Sequence, residues 1–122
     1  MQVISETEER TTITASARMS ALATPSQGSA ELSTWRVRMA PGTCSPAHVI
    51  DREQIWMPVR GVFEFTVADS ATEVGAGQAI VLPAGSDRRF RALGAEAEAL
   101  VAMPAAGRVS TGDTWGPIPW AV

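Results

Sequence analysis

Two glycine-bracketed segments constrain this chain more than any other feature. The first runs Gly42-Thr-Cys-Ser-Pro-Ala-His48-Val-Ile50-Asp-Arg-Glu-Gln54 and, after six intervening residues, closes at Gly61. The second runs Gly77-Gln-Ala-Ile-Val-Leu-Pro83-Ala-Gly85-Ser-Asp-Arg88. Glycine reaches backbone conformations that other residues avoid, and proline cannot donate to a ladder or continue a helix. Punctuation of this density fits short strands joined by tight turns and excludes a long helix through the middle of the chain.

Between the punctuation marks, apolar residues recur with period two. Trp35, Val37 and Met39 share one face of Leu32–Met39, while Thr34, Arg36 and Arg38 share the other. Phe63, Phe65 and Val67 repeat the pattern in Val62–Val67. The same reading predicts strands over Ile13–Ser20, Gln54–Arg60 (ended by Gly61), Thr72–Ala76, Ala79–Leu82, Phe90–Leu93 and Leu100–Met103. Ala23–Ser29 reads as a turn and Ala68–Ala71 as a hairpin loop. The stretch Ala95-Glu-Ala-Glu-Ala-Leu100 has the composition of a helix, yet its position between strand signals assigns its latter part to a strand. Short strands with no long amphipathic helix predict an all-β fold, a small antiparallel β-barrel or jelly roll.

With 122 residues the chain is expected to be one domain that buries roughly two thirds of its unfolded surface. Residues 1–30 are read as an N-terminal arm and first strand, 31–107 as the barrel, and 108–122 as a tail packing on the barrel or on a partner subunit. Residues 1–10 are acidic and aperiodic, which fits a mobile tail or an arm reaching a neighbouring subunit. The ending Trp115-Gly-Pro-Ile-Pro-Trp120 cannot be regular helix. A hydrophobic content of 45% and a net charge of -3 describe an ordinary globular chain and give no basic footprint for nucleic acid. No apolar run approaches the ~20 residues of a membrane span. The start lacks the basic flank and apolar block of a secretory leader, and a single Cys44 forms no internal disulfide, so a cytoplasmic location is expected.

The spacing of the two opening segments resembles the two motifs of the cupin superfamily. The first of these is Gly, five residues, His-x-His, three or four residues, Glu, six residues, Gly. The second is Gly, five residues, Pro-x-Gly, two residues, His. The resemblance covers residues 33–104, and the 15 residues between the segments match the short spacer of single-domain bacterial members. It implies a double-stranded β-helix, pairing into homodimers, and a divalent-metal centre held by three His and one Glu. Every glycine and proline of the pattern is present. Of the four ligands only His48 remains; Ile50, Gln54 and Arg88 occupy the other three positions.

Strand alternation then places His48, Ile50, Gln54 and Arg88 on a cavity floor, with Trp35, Met39, Cys44, Trp56 and Phe63 as substrate-binding walls. Arg88 is permanently cationic and would repel a divalent ion in contact with it, so no cofactor is expected. Should a metal bind, His48, Gln54 and Cys44 are the donors left to hold it. His48, Arg88 and Gln54 are the candidate catalytic residues: His48 removes a proton beside a carbonyl, Arg88 holds the oxyanion and Gln54 orients either partner. Such chemistry serves a cyclase, isomerase or dehydratase acting on a keto compound, and small cupins of this kind resemble polyketide tailoring proteins. Two other readings stand beside it: a non-catalytic ligand-binding or accessory protein, and a metal-dependent oxygenase or isomerase with a remodelled site. Each residue also has a plainer reading, with His48 a satisfied structural histidine, Arg88 a solvated arginine at the barrel mouth and Cys44 a small buried hydrophobe.

Overall fold

A computed structural model describes all of residues 1–122. It contains ten strands, every pair antiparallel: β1 (Thr11–Ile13), β2 (Arg18–Ala21), β3 (Leu32–Met39), β4 (His48–Ile50), β5 (Gln54–Val67), β6 (Ser70–Gly75), β7 (Ile80–Leu82), β8 (Asp87–Pro104), β9 (Arg108–Ser110) and β10 (Trp115–Pro117). Three single 3₁₀ turns, at Glu8–Arg10, Pro25–Gln27 and Pro119–Ala121, are the only helical pieces. The strands form one curled sheet in the order β1-β2-β3-β8-β4-β9-β10, and β5 adds to β8 while carrying β6 and β7. This is the all-β antiparallel jelly roll that the punctuation demands. No helix is long and apolar enough to cross a membrane.

β8 organises the fold. Its first half pairs with β4 and with Val62–Val67 of β5, and its second half pairs with β3 and with Ile55–Arg60 of β5. The helix-like alanine run belongs to this one 18-residue strand. Period two explains why: Ala97, Ala99, Val101 and Met103 point inward with at most 1% exposure, opposite Met39, Val37, Trp35 and Ser33. Small alanines leave room for the large residues facing them, and tertiary packing overrides helix propensity.

Several elements differ from the sequence reading. Phe90–Leu93 and Leu100–Met103 are parts of the one strand β8, and β6 begins at Ser70 within the expected hairpin loop. Gly61 does not end a strand; it is a bulge inside β5, with φ +69° and a register shift across it between Arg60 and Val62. A Cβ there would lie 2.5 Å from the Glu96 carbonyl oxygen and 2.9 Å from Ala97 Cα, so only glycine fits. Ile13–Ser20 is not one strand, because a turn at Thr14–Ala17 folds β1 back on β2. Strands β9 and β10 were missed, since three-residue runs beside glycine and proline carry too little period to read.

The core holds Trp35, Val37, Met39, Trp56, Phe63, Phe65, Leu82 and the inward side of β8. Each large side chain buried this way contributes about 1.5–3 kcal/mol. Both chain ends lie against the chain's own sheet. Glu6 meets Arg36 Nε at 2.6 Å and Arg38 Nη2 at 3.0 Å on the outer face of β3. At the other end Ile118 and Ala121 are buried in the core. Ser33 Oγ donates to the Ala121 carbonyl at 2.5 Å, and Ser26 Oγ to the Val122 carbonyl at 2.8 Å.

Candidate active site

A cavity of about 210 Å³ opens between β4, β5 and the C-terminal segment. A pocket of about 150 Å³ already accepts benzene, so this one suits a ligand of one or two rings. Most of its lining is apolar: Met19, Trp35, Val37, Ile50, Trp56, Phe90, Val109, Ile118 and Trp120. His48, Gln54, Ser45, Thr14, Ser16 and Thr111 supply the polar groups. Trp56 anchors an edge-to-face and tilted aromatic cluster beneath it, its ring centroid 4.5 Å from Phe90, 5.1 Å from Phe65 and 5.6 Å from Phe63.

His48 begins β4 and is half-buried, its ring edge against Phe90 at 5.7 Å. Its Nδ1 lies 2.8 Å from the Pro46 carbonyl, which can only accept, so Nδ1 carries the proton. Nε2 is therefore the free nitrogen. Burial lowers the imidazole's pKa below its ordinary value, and the nearby Arg88 charge lowers it further, against the opposing pull of Pro46 and Asp87. Both lowering effects favour the neutral ring, whose lone pair is on Nε2.

Gln54 is buried at the start of β5. Its Oε1 accepts from Trp56 Nε1 at 3.2 Å and from Arg88 Nη1 at 3.5 Å. Both are obligate donors, so the amide orientation is settled and the NH₂ group points away from them. Its partner there is Met103 Sδ at 3.6 Å, a weak acceptor that leaves a donor to spare.

Arg88 requires a correction. It is neither solvated nor on the cavity wall; it is 1% exposed and sits behind Gln54. Although it is the cross-strand partner of His48, its guanidinium turns to neutral acceptors: the Pro83 carbonyl at 2.6 Å, the Ser86 carbonyl and Oγ at 3.3 Å each, and Gln54. Gly85 helps shape this loop, its N–H donating to the Ile50 carbonyl at 2.8 Å. Burial pushes the pKa of Arg88 below its usual value, partly offset by Asp87.

Of the other expected wall residues, Trp35, Ile50 and Trp56 line the cavity with His48 and Gln54. Met39 and Phe63 do not; both are fully buried in the core behind it. Cys44 does not either, and it is no buried hydrophobe. It is exposed, in a separate surface depression with Arg89, Arg91 and Glu64. Strand parity does not extend to Cys44, because residues 40–47 are an irregular connection with only one isolated bridge, Cys44 to Arg91. Phe90, Met19 and Trp120 were missed as cavity residues. Phe90 was within reach, since it shares the parity of Arg88. Trp120 and Met19 arrive by long-range contact that no local pattern announces.

A family model for the cupin domain matches residues 35–103. The chain belongs to the cupin family. Solved structures agree on the fold. An oxalate decarboxylase variant from Bacillus subtilis superposes with a TM-score of 0.75 at 18% identity, over 85% of this cupin and 29% of that chain. A second such variant gives 0.77 at 16% identity over 96% and 32%. The polyketide cyclase RemF from Streptomyces resistomycificus gives 0.70 at 20% identity, over 85% and 72%. This cupin thus spans under a third of the oxalate decarboxylase chains. At such identities the likeness establishes fold alone. No curated protein sequence matches it.

A further Bacillus subtilis oxalate decarboxylase is described by its Mn(II) centres. The residues of this cupin do not fit such an ion. No three His, Cys, Asp or Glu side chains converge anywhere in the chain. At the four motif positions stand one imidazole, one aliphatic side chain, one amide whose oxygen already accepts two donors, and a cation. Cys44, the remaining donor of the expected alternative set, lies in a different depression.

Proposed function

We propose that this cupin is a tailoring enzyme of the cyclase, isomerase or dehydratase type. It acts on a small keto compound, polyketide-like in its ring character, by acid–base chemistry that needs no metal. The observation that carries this reading is the placement of His48, with Nδ1 tied to the Pro46 carbonyl and Nε2 free in an apolar cavity; burial, which lowers the ring's pKa, favours the base form. Nε2 takes a proton from the carbon next to the ligand carbonyl. The C–H electron pair moves into the C–C bond and the carbonyl π pair moves onto oxygen, giving an enolate. The Gln54 N–H donates to that oxygen, and Arg88 reinforces it by polarising the amide from behind. His48 returns the proton to a different atom, which completes a tautomerisation or sets up ring closure or loss of water. RemF, a polyketide cyclase on the same fold, lends this reading a precedent and nothing finer.

Enolisation can be read without knowing the natural substrate. Indan-2-one fits the cavity's scale and exchanges its α protons in D₂O, which NMR follows directly. The wild type is expected to accelerate exchange, and His48→Gln to lower that acceleration 10²-fold or more, about what a positioned base contributes. Gln54→Leu is expected to lower it as well. Exchange equal in wild type and both variants would sink the enzymatic reading.

One observation favours a second reading, a binding protein without turnover. Arg88, the strongest candidate electrophile in the sequence, is engaged by backbone carbonyls and does not reach the cavity. Saturable binding of indan-2-one with no exchange would select it.

A further inference from the structure

The Nε1–H of Trp120 is buried and meets no acceptor in the protein. Buried indole N–H groups nearly always find one, and an orphaned buried donor calls for an explanation. Trp120 lines the same cavity as His48 and Gln54. It is also held in place on both sides. Ile118 is buried two residues before it, and the carbonyls of Ala121 and Val122 accept from Ser33 and Ser26. A donor kept unpaired on an anchored segment is preorganised for a partner that comes from outside the chain.

We infer that Trp120 is a specificity-determining residue: its indole N–H donates to an oxygen of the bound ligand, so the C-terminal segment forms part of the binding site. This deepens the reading of the cavity as a keto-compound site and rests on it. The substrate class narrows accordingly. A one- or two-ring hydrocarbon body fills the apolar wall, and its oxygen acceptors must answer two donors from different parts of the chain, Gln54 Nε2–H and Trp120 Nε1–H. A pure hydrocarbon leaves both unpaired and is rejected for that reason, as sites built around buried donors reject analogues that lack the acceptor.

The test compares indan-2-one with indane, which has the same ring skeleton without the oxygen. Affinities come from ligand-observed NMR titration of the full chain. Two variants remove the donor: Trp120→Phe, and replacement of Trp120 by benzothienylalanine, which keeps the bicyclic shape but has sulfur in place of N–H. A cooperative melt checks that each is folded. The wild type is expected to prefer the ketone, and both variants to lose about tenfold of that preference, read as the ratio of ketone to indane affinity within each variant. Preference retained in the isosteric variant but lost in Gln54→Leu would place the oxygen on Gln54 alone and overturn the role of Trp120, leaving the keto reading intact. Absence of any ketone preference in the wild type would overturn both.

Discussion

Arg88 stands behind Gln54, its Nη1 3.5 Å from the same amide oxygen that accepts the Trp56 indole. A residue in a ligand position of the family's motif thus serves as a brace for its neighbour. Removing it leaves the Pro83 and Ser86 carbonyls and one lone pair of Gln54 with lost partners. Arg88→Met is therefore expected to destabilise the fold by about 1–3 kcal/mol, the cost of orphaning buried acceptors, read by urea denaturation. A variant more stable than wild type would mean that the desolvated charge costs more than its bonds return.

His48 is the only histidine, so its ring protons titrate without overlap in NMR. Burial and the Arg88 charge set its folded pKa below the unfolded value of about 6.5. The unfolded chain then binds the proton more readily, and stability falls as pH drops from about 6.5 towards the folded pKa, below which the loss levels off. His48→Gln is expected to remove this part of the slope. A ring that titrates at or above 6.5 would contradict the neutral base.

The Glu6 carboxylate behaves in the opposite sense. Burial alone would raise its pKa, but hydrogen bonds and charge from Arg38 and Arg36 outweigh burial and hold it lower. Its contribution is present above the unfolded carboxylate pKa and fades as pH falls through the folded one. Glu6→Gln is expected to cost about 0.5–1 kcal/mol near neutrality, less in high salt, and to speed amide exchange over residues 7–12.

Gly61→Ala is expected to cost upwards of about 2 kcal/mol, from the left-handed backbone and the collision with the Glu96 carbonyl. Gly77→Ala makes the control, since its Cβ would meet nothing and only the backbone term applies.

The barrel was legible because turn chemistry and alternation are local. Gly85 and the Trp35–Val37–Met39 face could be placed from their immediate neighbours, whereas Gly61 reads locally as a strand end and is a bulge within β5. The cavity was legible only in part. Alternation put His48, Ile50, Gln54 and Trp56 on one side, since each lies on a regular strand. It misjudged Cys44, which sits on an irregular connection, and Arg88, whose backbone lies where expected. A long side chain can turn away from the face its Cα occupies, and the Pro83 and Ser86 carbonyls turn this one. Trp120 could not be foreseen, because 72 residues of sequence separate it from His48 and only tertiary contact joins them.

That β8 borders β3, β4 and β5 at once has a kinetic consequence. No half of this sheet can close before residues 87–104 have docked, and nearly all of their pairings reach across long stretches of chain. Such topology makes for slow, all-or-none folding. On a ribosome the first 80 residues would wait for that strand, and the imidazole would have no cavity to face until it arrived. Competence to bind and global cooperativity should then appear together in a refolding experiment, as a single event on one timescale.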